Sequence, residues 1–143
     1  MKGMDMPKQS PIPDDLDRPF YDAANQDKLV LQYCTVDDRW QYPPEPVCAG
    51  PCGSADHLEW RENDGAGTIY SYAVVYDTPI AALQADQPFN CAVIELDHAP
   101  GINFLSHLPG SAPGDVPIGA KVKLTFQATQ ATGQKVPEWS VVK

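Results

Sequence analysis

No stretch of about 18 or more consecutive apolar residues occurs in the 143-residue chain, so the sequence offers no helix able to cross a bilayer. Positive charge is scarce as well: 10 Lys and Arg stand against 19 Asp and Glu, a formal charge of −9. A chain of that sign repels phosphate backbones unless it carries a local basic stripe. None is visible, since Lys121 and Lys123 are the only close basic pair and Arg18, Lys28, Arg39 and Arg61 are scattered among acids. The segment Met1–Lys8 lacks the apolar core and small-residue cleavage site of a signal peptide. A soluble, cytoplasmic protein with no membrane or nucleic-acid contact is therefore expected. Length excludes a large multidomain enzyme and suits one compact domain, or one small domain with an appended module.

Turn chemistry is abundant. Fifteen Pro and ten Gly favour many short elements over long helices. Residues 1–16 are rich in Pro, Asp, Lys and Gln with few apolar anchors, and read as an extended or mobile arm unless a partner holds them. Residues 17–33 read as a helix and a strand: Asp17 with Pro19 close behind suits a helix start, Phe20, Ala23 and Ala24 supply a thin apolar stripe, and Leu29–Tyr33 has strand character. Residues 34–56 mix Cys, Pro and Gly around Trp40 and Tyr42, a composition that folds around a staple rather than a conventional core. From residue 57 to 143 the pattern is β. Leu58–Arg61 alternates, Asn63–Gly67 is a turn cluster, Thr68–Tyr76 and Cys91–Leu96 are strand runs separated by a loop, and Ile102–Leu108 suits a hairpin partner. Lys121–Ala128 alternates with period two, placing Val122, Leu124, Phe126 and Ala128 on one face. A last strand near Val136–Val142 gives five or six in all, enough for a small barrel or sandwich.

Cys34, Cys48 and Cys52 fall within nineteen residues and Cys91 stands apart. In a cytosolic protein that grouping suggests metal more than disulfides. A structural zinc takes about four ligands, usually from two tight turns that each present a pair of side chains. Cys48–Cys52 is one such turn, slightly long, and Cys34–Asp37 is the other, with a carboxylate in its second position. Aspartate ligates zinc but is uncommon in structural sites, and His57 is the only nearby alternative. The candidate metal set is Cys34, Asp37, Cys48 and Cys52.

Between residues 18 and 140 a series of blocks in unbroken order carries a family resemblance. Arg18–Tyr21, Leu29–Cys34, Trp40–Pro44, Val47–Cys48, Gly67–Val75, Val93–Asp97 and Ile118–Val122 resemble the acyl-CoA-associated zinc-ribbon plus OB-fold family. The resemblance implies a mainly β fold with an N-terminal helical segment at 17–33, a rubredoxin-like zinc-ribbon at 34–56 and a C-terminal five- or six-stranded OB-fold barrel at 57–143. It implies a noncatalytic subunit that pairs with a thiolase-superfamily enzyme in a heteromeric complex, helps bind an acyl-CoA thioester and leaves the catalytic residues to the partner. A thiolase-like retro-aldolase of steroid side-chain degradation is preferred over an acetyl-CoA acyltransferase (thiolase) complex of lipid synthesis. The chain departs from the family's paired Cys-x2-Cys turns: Asp37 stands at the second cysteine position, and Cys48–Cys52 carries one extra residue. Loss of one soft thiolate leaves zinc binding open.

Candidate contacts for the partner or CoA are Tyr70, Tyr72, Lys121, Lys123 and Trp139. Tyr70, Tyr72 and Tyr76 alternate onto one face of their strand, where an OB-fold stacks rings and where packing is the plainer use of an aromatic. Lys121 and Lys123 lie on the polar side of theirs, a solvated face or a place for CoA phosphates. Trp139 has little sequence after it for cover and suits a partner contact, although docking back onto the barrel would bury it too. Cys91 sits in an apolar strand without a basic neighbour and reads as structural. His98 beside Asp97 reads as a polar hairpin tip, Glu95 and Asp97 as an outward acidic row, and Ser106 and His107 as strand neighbours pointing to opposite faces. A self-sufficient enzyme needs a nucleophile, a base and an oxyanion site together. No such set is found, so no catalytic residue is expected. The rival readings are an OB-fold module for nucleotide or nucleic acid, which the charge opposes, and a hydrolase built on Cys91 or His98, which lacks an activating partner.

Overall fold

The computed structural model describes residues 7–143. Residues 1–6 of the expected arm lie outside the described residues. Helix α1 (Arg18–Ala24) carries Pro19 in its first turn, where a missing N–H breaks no helical bond, and buries Phe20 and Ala24. Strand β1 (Leu29–Cys34) pairs antiparallel with β2 (Arg39–Gln41) and β3 (Leu58–Asn63) in a three-stranded sheet of order β2–β1–β3. The β1–β3 register runs from Leu29 opposite Asn63 to Cys34 opposite Leu58. The loop between β2 and β3, which holds Cys48 and Cys52, is thus pinned at both ends by one sheet.

The second sheet has five strands: β4 (Gly67–Val75), β5 (Phe89–Leu96), β6 (Asn103–Ser106), β7 (Lys121–Ala128) and β8 (Lys135–Val141). Their order, β6–β5–β4–β7–β8, puts the first strand at the centre of a meander and a hairpin, which is the strand order of an OB barrel. A mainly β chain with a short helix and a five-stranded OB barrel is the fold that the sequence leads one to expect. Among the described residues no helix is long and apolar enough to cross a membrane.

From residue 7 onward the arm has anchors that composition did not reveal. The Pro7 carbonyl accepts the Gln130 N–H at 2.8 Å, Lys8 Nζ lies 2.8 Å from the Asp86 carboxylate, and the Ser10 hydroxyl donates to Thr129 Oγ1 at 2.6 Å. These contacts tie the segment to the 3₁₀ stretch Ala81–Asp86 and to the turn between β7 and β8.

Two expectations about aromatic residues are corrected by the fold. On β4, Ile69 faces Ile94, Ser71 rather than Tyr70 faces Val93, and Tyr72 faces Ala92. Ile69, Ala92 and Ile94 are buried, so Tyr72 turns inward against the core while Tyr70 stays outside, 65% exposed. Tyr70 and Tyr72 do not share a face, because a β-bulge inserts one residue and inverts the alternation beyond it. Trp139 is the second correction. It is fully buried, its ring lies 5.1 Å from that of Phe104, and its indole N–H donates to the Gly65 carbonyl at 2.7 Å. It is the plug of the barrel, not a surface contact. Gly65 lies at φ +71°, and a Cβ there would come within 2.6 Å of Leu124, so this close approach admits only glycine.

Replacing Trp139 with Ala should cost about 3–5 kcal/mol through the cavity left behind and the orphaned Gly65 carbonyl. Urea unfolding followed by circular dichroism measures it; a loss under 1 kcal/mol would contradict the central placement.

Candidate functional site

Four side chains meet at the end of the three-stranded sheet. Cys34 closes β1, Asp37 sits in the turn to β2, and Cys48 and Cys52 come from the β2–β3 loop. One ligand atom from each lies within 4.8 Å of all the others. His57 is not among them. Backbone N–H groups point at the sulfurs: Asp37 N to Cys34 Sγ at 3.3 Å and Gly50 N to Cys48 Sγ at 3.3 Å. Asp37 Oδ2 accepts the Cys52 N–H at 2.8 Å and lies 3.2 Å from Cys48 Sγ. A Cβ at Gly50 would sit 2.8 Å from Asp37 Oδ2 and from Arg39 Cδ, so a side chain there would displace them.

The two best-buried thiols differ in electrostatics. The Asp37 N–H holds the Cys34 thiol below its ordinary range, whereas burial pushes the Cys48 thiol up. Three thiols and one carboxylate, presented in pairs by two turns whose N–H groups are already aimed at sulfur, fit a four-coordinate ion of the zinc type.

A buried glutamine pair positions the Cys48 loop. Gln32 and Gln41 are cross-strand partners on β1 and β2, and Gln41 Nε2 donates to Gln32 Oε1 at 2.8 Å. Gln32 binds both the N–H and the carbonyl of Glu45 at 2.9 Å. Gln41 accepts the Ala49 N–H at 2.9 Å and donates to the Val47 carbonyl at 3.1 Å. Sequence reasoning missed these residues, although a signal existed: Gln32 interrupts the apolar run Leu29–Tyr33, and a buried amide needs polar partners.

The remaining candidates are dispersed. Lys121 Nζ contacts Thr68 Oγ1 at 2.9 Å and Asp97 Oδ2 at 3.1 Å, and Thr68 donates to Asp97 Oδ1 at 2.8 Å. That hydroxyl, followed by Lys121, holds the Asp97 carboxyl below its ordinary value. Lys123 is exposed on the same strand and lines a shallow groove of about 410 Å³ with Lys121 and Asp97. His98 Nδ1 is 2.8 Å from the Asp64 carboxylate on the open surface. Burial raises the Cys91 thiol, which keeps it protonated. Ser106 and His107, neighbours on the chain, are joined through a third residue that the sequence did not suggest. Glu138 lies 2.6 Å from Ser106 Oγ and 3.3 Å from His107 Nδ1, and the same hydroxyl accepts the Trp139 N–H at 3.0 Å.

Residues 60–127 match the family described as ChsH2, C-terminal OB-fold domain. Over those residues the chain carries an OB-fold domain similar to that of ChsH2. The resemblance read from the sequence is thereby borne out. A solved structure titled Ltp2-ChsH2(DUF35) aldolase superimposes with a TM-score of 0.78 at 29% identity, over 92% of this chain and 98% of that one. A DUF35-family protein of unknown function from Sulfolobus solfataricus has the same fold, with a TM-score of 0.59 at 20% identity over 90% and 86% of the two chains. A probable enoyl-CoA hydratase alpha subunit from Thermomonospora curvata is 36% identical over 107 residues, 75% of this chain. The chain spans 32%, about a third, of that relative's length.

Two predictions concern the stability of this chain. Gln41→Leu leaves buried groups of the Cys48 loop unpaired and should lower unfolding free energy by about 1–3 kcal/mol, read by urea denaturation; an unchanged midpoint would show that the loop does not depend on the pair. Asp97, depressed in the folded chain, contributes stability above its unfolded pKa and loses it as pH falls through the folded one. Thr68→Val should therefore move the Asp97 carboxyl up towards its ordinary value of 3.8 and shallow the loss of stability at acid pH. A carboxylate NMR titration of the two proteins decides it.

Proposed function

We propose that the chain is a noncatalytic partner subunit of a thiolase-superfamily complex that acts on an acyl-CoA, cleaving a carbon–carbon bond in the retro-aldol sense. The observation that supports this reading most is the likeness to the Ltp2-ChsH2(DUF35) aldolase, which extends over almost the whole of that chain, ribbon sheet and barrel together. The chemistry of the side chains agrees. Among the described residues the Cys91 thiol is held protonated by burial, His98 is engaged on open surface by Asp64, and Ser106, His107 and Glu138 bind one another inside the barrel wall. None of these is a nucleophile with a free base and an oxyanion site beside it. The acyl group in this reading is a steroid side chain, by the family resemblance.

Cys34, Asp37, Cys48 and Cys52 are proposed to hold zinc. The ion would cross-link the two turns and fix the loop between β2 and β3, a structural part with no share in bond cleavage. Lys121 and Lys123 are proposed as contacts for CoA phosphates, with Lys123 the freer of the two because Asp97 and Thr68 engage Lys121. The relative named as a hydratase subunit supports a second identity for the complex, one with a hydratase partner.

The deciding experiment is expression of the tagged chain in its native host, with mass spectrometry of stoichiometric partners and zinc determination on one sample. A thiolase-superfamily partner and about one zinc per chain are expected. A hydratase alone would move the reading to the second identity, and recovery of the chain by itself or with nucleic acid would overturn both. Asp37→Ala should lower bound zinc well below that of the parent chain, while Asp37→Cys retains it; equal zinc in all three would remove Asp37 from the ligand set.

A further inference from the structure

We infer that the outward face of β4, β5 and β6, continued into the groove between α1 and β8, docks a folded protein that presents an apolar anchor within a basic rim. The inference rests on the reading of the chain as a partner subunit and says where on it the partner sits. Strand register builds the face. Leu105 pairs with Val93 and Val93 pairs with Ser71, and the bulge leaves Tyr70 beside Ser71 on the same outer side. Leu105 is 69% and Tyr70 65% exposed. The next outward pair, Ala73 and Cys91, adds more apolar surface. Well-packed monomers rarely leave such a contiguous strip uncovered.

Leu105 also lines a groove of about 350 Å³ with Tyr21, Tyr42, Phe104 and Pro137 at the junction of α1, the β2 end and β8. Burial pushes the Tyr42 hydroxyl to about 12, and the carboxylate among the lining residues, Glu138, is engaged by Ser106 and His107. An exposed apolar strip ending in a concave aromatic groove suits a projecting aromatic or aliphatic anchor, the usual centre of a protein–protein contact.

Charge selects the occupant. Residues 62–120, which include all three strands and their connections, contain no Lys or Arg; of their acids Asp86 is paired with Lys8 and Asp97 with Lys121, the lysine that borders this face beside Thr68, which leaves Glu62, Asp64, Asp77, Glu95 and Asp115. Glu95 lies on the outer side of β5, one pair beyond Val93, and Asp77 follows the exposed Tyr76 at the far end of β4. Two copies meeting through this face would set Glu95 and Asp77 against their counterparts, in a chain that already carries −9. A partner with Lys and Arg around its anchor would instead be attracted, with association slowed by salt.

The test uses the complex obtained with the tagged chain. The co-purified acyl-CoA enzyme is separated and titrated against wild type, Leu105→Glu, Tyr70→Glu and the control Ile12→Glu, each checked for an unchanged melting temperature. The two strip variants should weaken binding by about thirtyfold or more, the control by less than about twofold, and hydrogen exchange in β5 and β6 should slow in the intact complex. Binding by wild type should weaken as salt rises. An intact complex in which both strip variants bind like wild type, or in which β5 and β6 gain no protection, overturns the docking face and leaves the subunit reading standing. Failure of any acyl-CoA enzyme to co-purify overturns both. A wild-type dimer in sedimentation that Leu105→Glu dissolves overturns the heterologous occupant.

Discussion

The two end strands of the barrel, β6 and β8, are not neighbours in the sheet, so the barrel closes through side chains. The Ser106 hydroxyl sits at that seam, donating to the Glu138 carboxylate at 2.6 Å and accepting the Trp139 N–H at 3.0 Å. Glu138 reaches His107 as well. A hydrogen bond to a buried carboxylate contributes about 1.5–3 kcal/mol, and removing one partner costs more because the charge stays behind without its donor. The seam also fixes the backbone of Trp139, whose ring fills the interior. Core filling and barrel closure therefore depend on the same short stretch of β8.

From that plug an aromatic chain leads out of the barrel. Trp139 contacts Phe104 at 5.1 Å, Phe104 contacts Tyr42 at 4.2 Å, and Tyr42 contacts Phe20 of α1 at 5.6 Å. Each link belongs to a different element, so the helix, the end of the cysteine sheet and the barrel share one apolar continuum. The cysteine module has little apolar core of its own; its interior is the Gln32–Gln41 network on one side and the cluster of Cys34, Asp37, Cys48 and Cys52 on the other. Contact with the barrel through Tyr42 and α1 supplies the burial that its own composition lacks.

What was legible in the sequence was what periodicity and spacing encode. The alternation of Lys121–Ala128 gave a strand, the β-branched and aromatic run at Thr68–Tyr76 gave another, and the Cys34, Asp37, Cys48 and Cys52 spacing picked out four residues that the fold does bring together. The facing of Tyr72 and the burial of Trp139 are set by contacts that spacing cannot carry. The bulge at Tyr70 depends on how β4 meets β5, a long-range pairing that leaves no mark on a period-two pattern. Trp139 is covered by Phe104 and by Gly65, residues 35 and 74 positions earlier, so its burial is invisible in its own neighbourhood. Glu138 was overlooked likewise, since an acid in a strand reads as outward until a barrel closes over it.

The filled interior bears on what the fold can bind. An OB barrel that stacks rings or bases does so on accessible aromatics beside a basic groove, yet here Tyr72 is turned into the core, Trp139 is fully enclosed, and Lys121 beside Lys123 is engaged by Asp97 and Thr68. Tyr70 stays outside, as does Tyr76 just past the end of the strand, and the bulge that leaves Tyr70 there also lines it up with the row of Val93 and Leu105. One inserted residue thus removes a tyrosine from a ring-stacking face and adds the other to an exposed apolar strip. A nucleotide-binding barrel would have little use for that exchange, whereas a subunit held to a larger protein gains contact area from it without disturbing its own core.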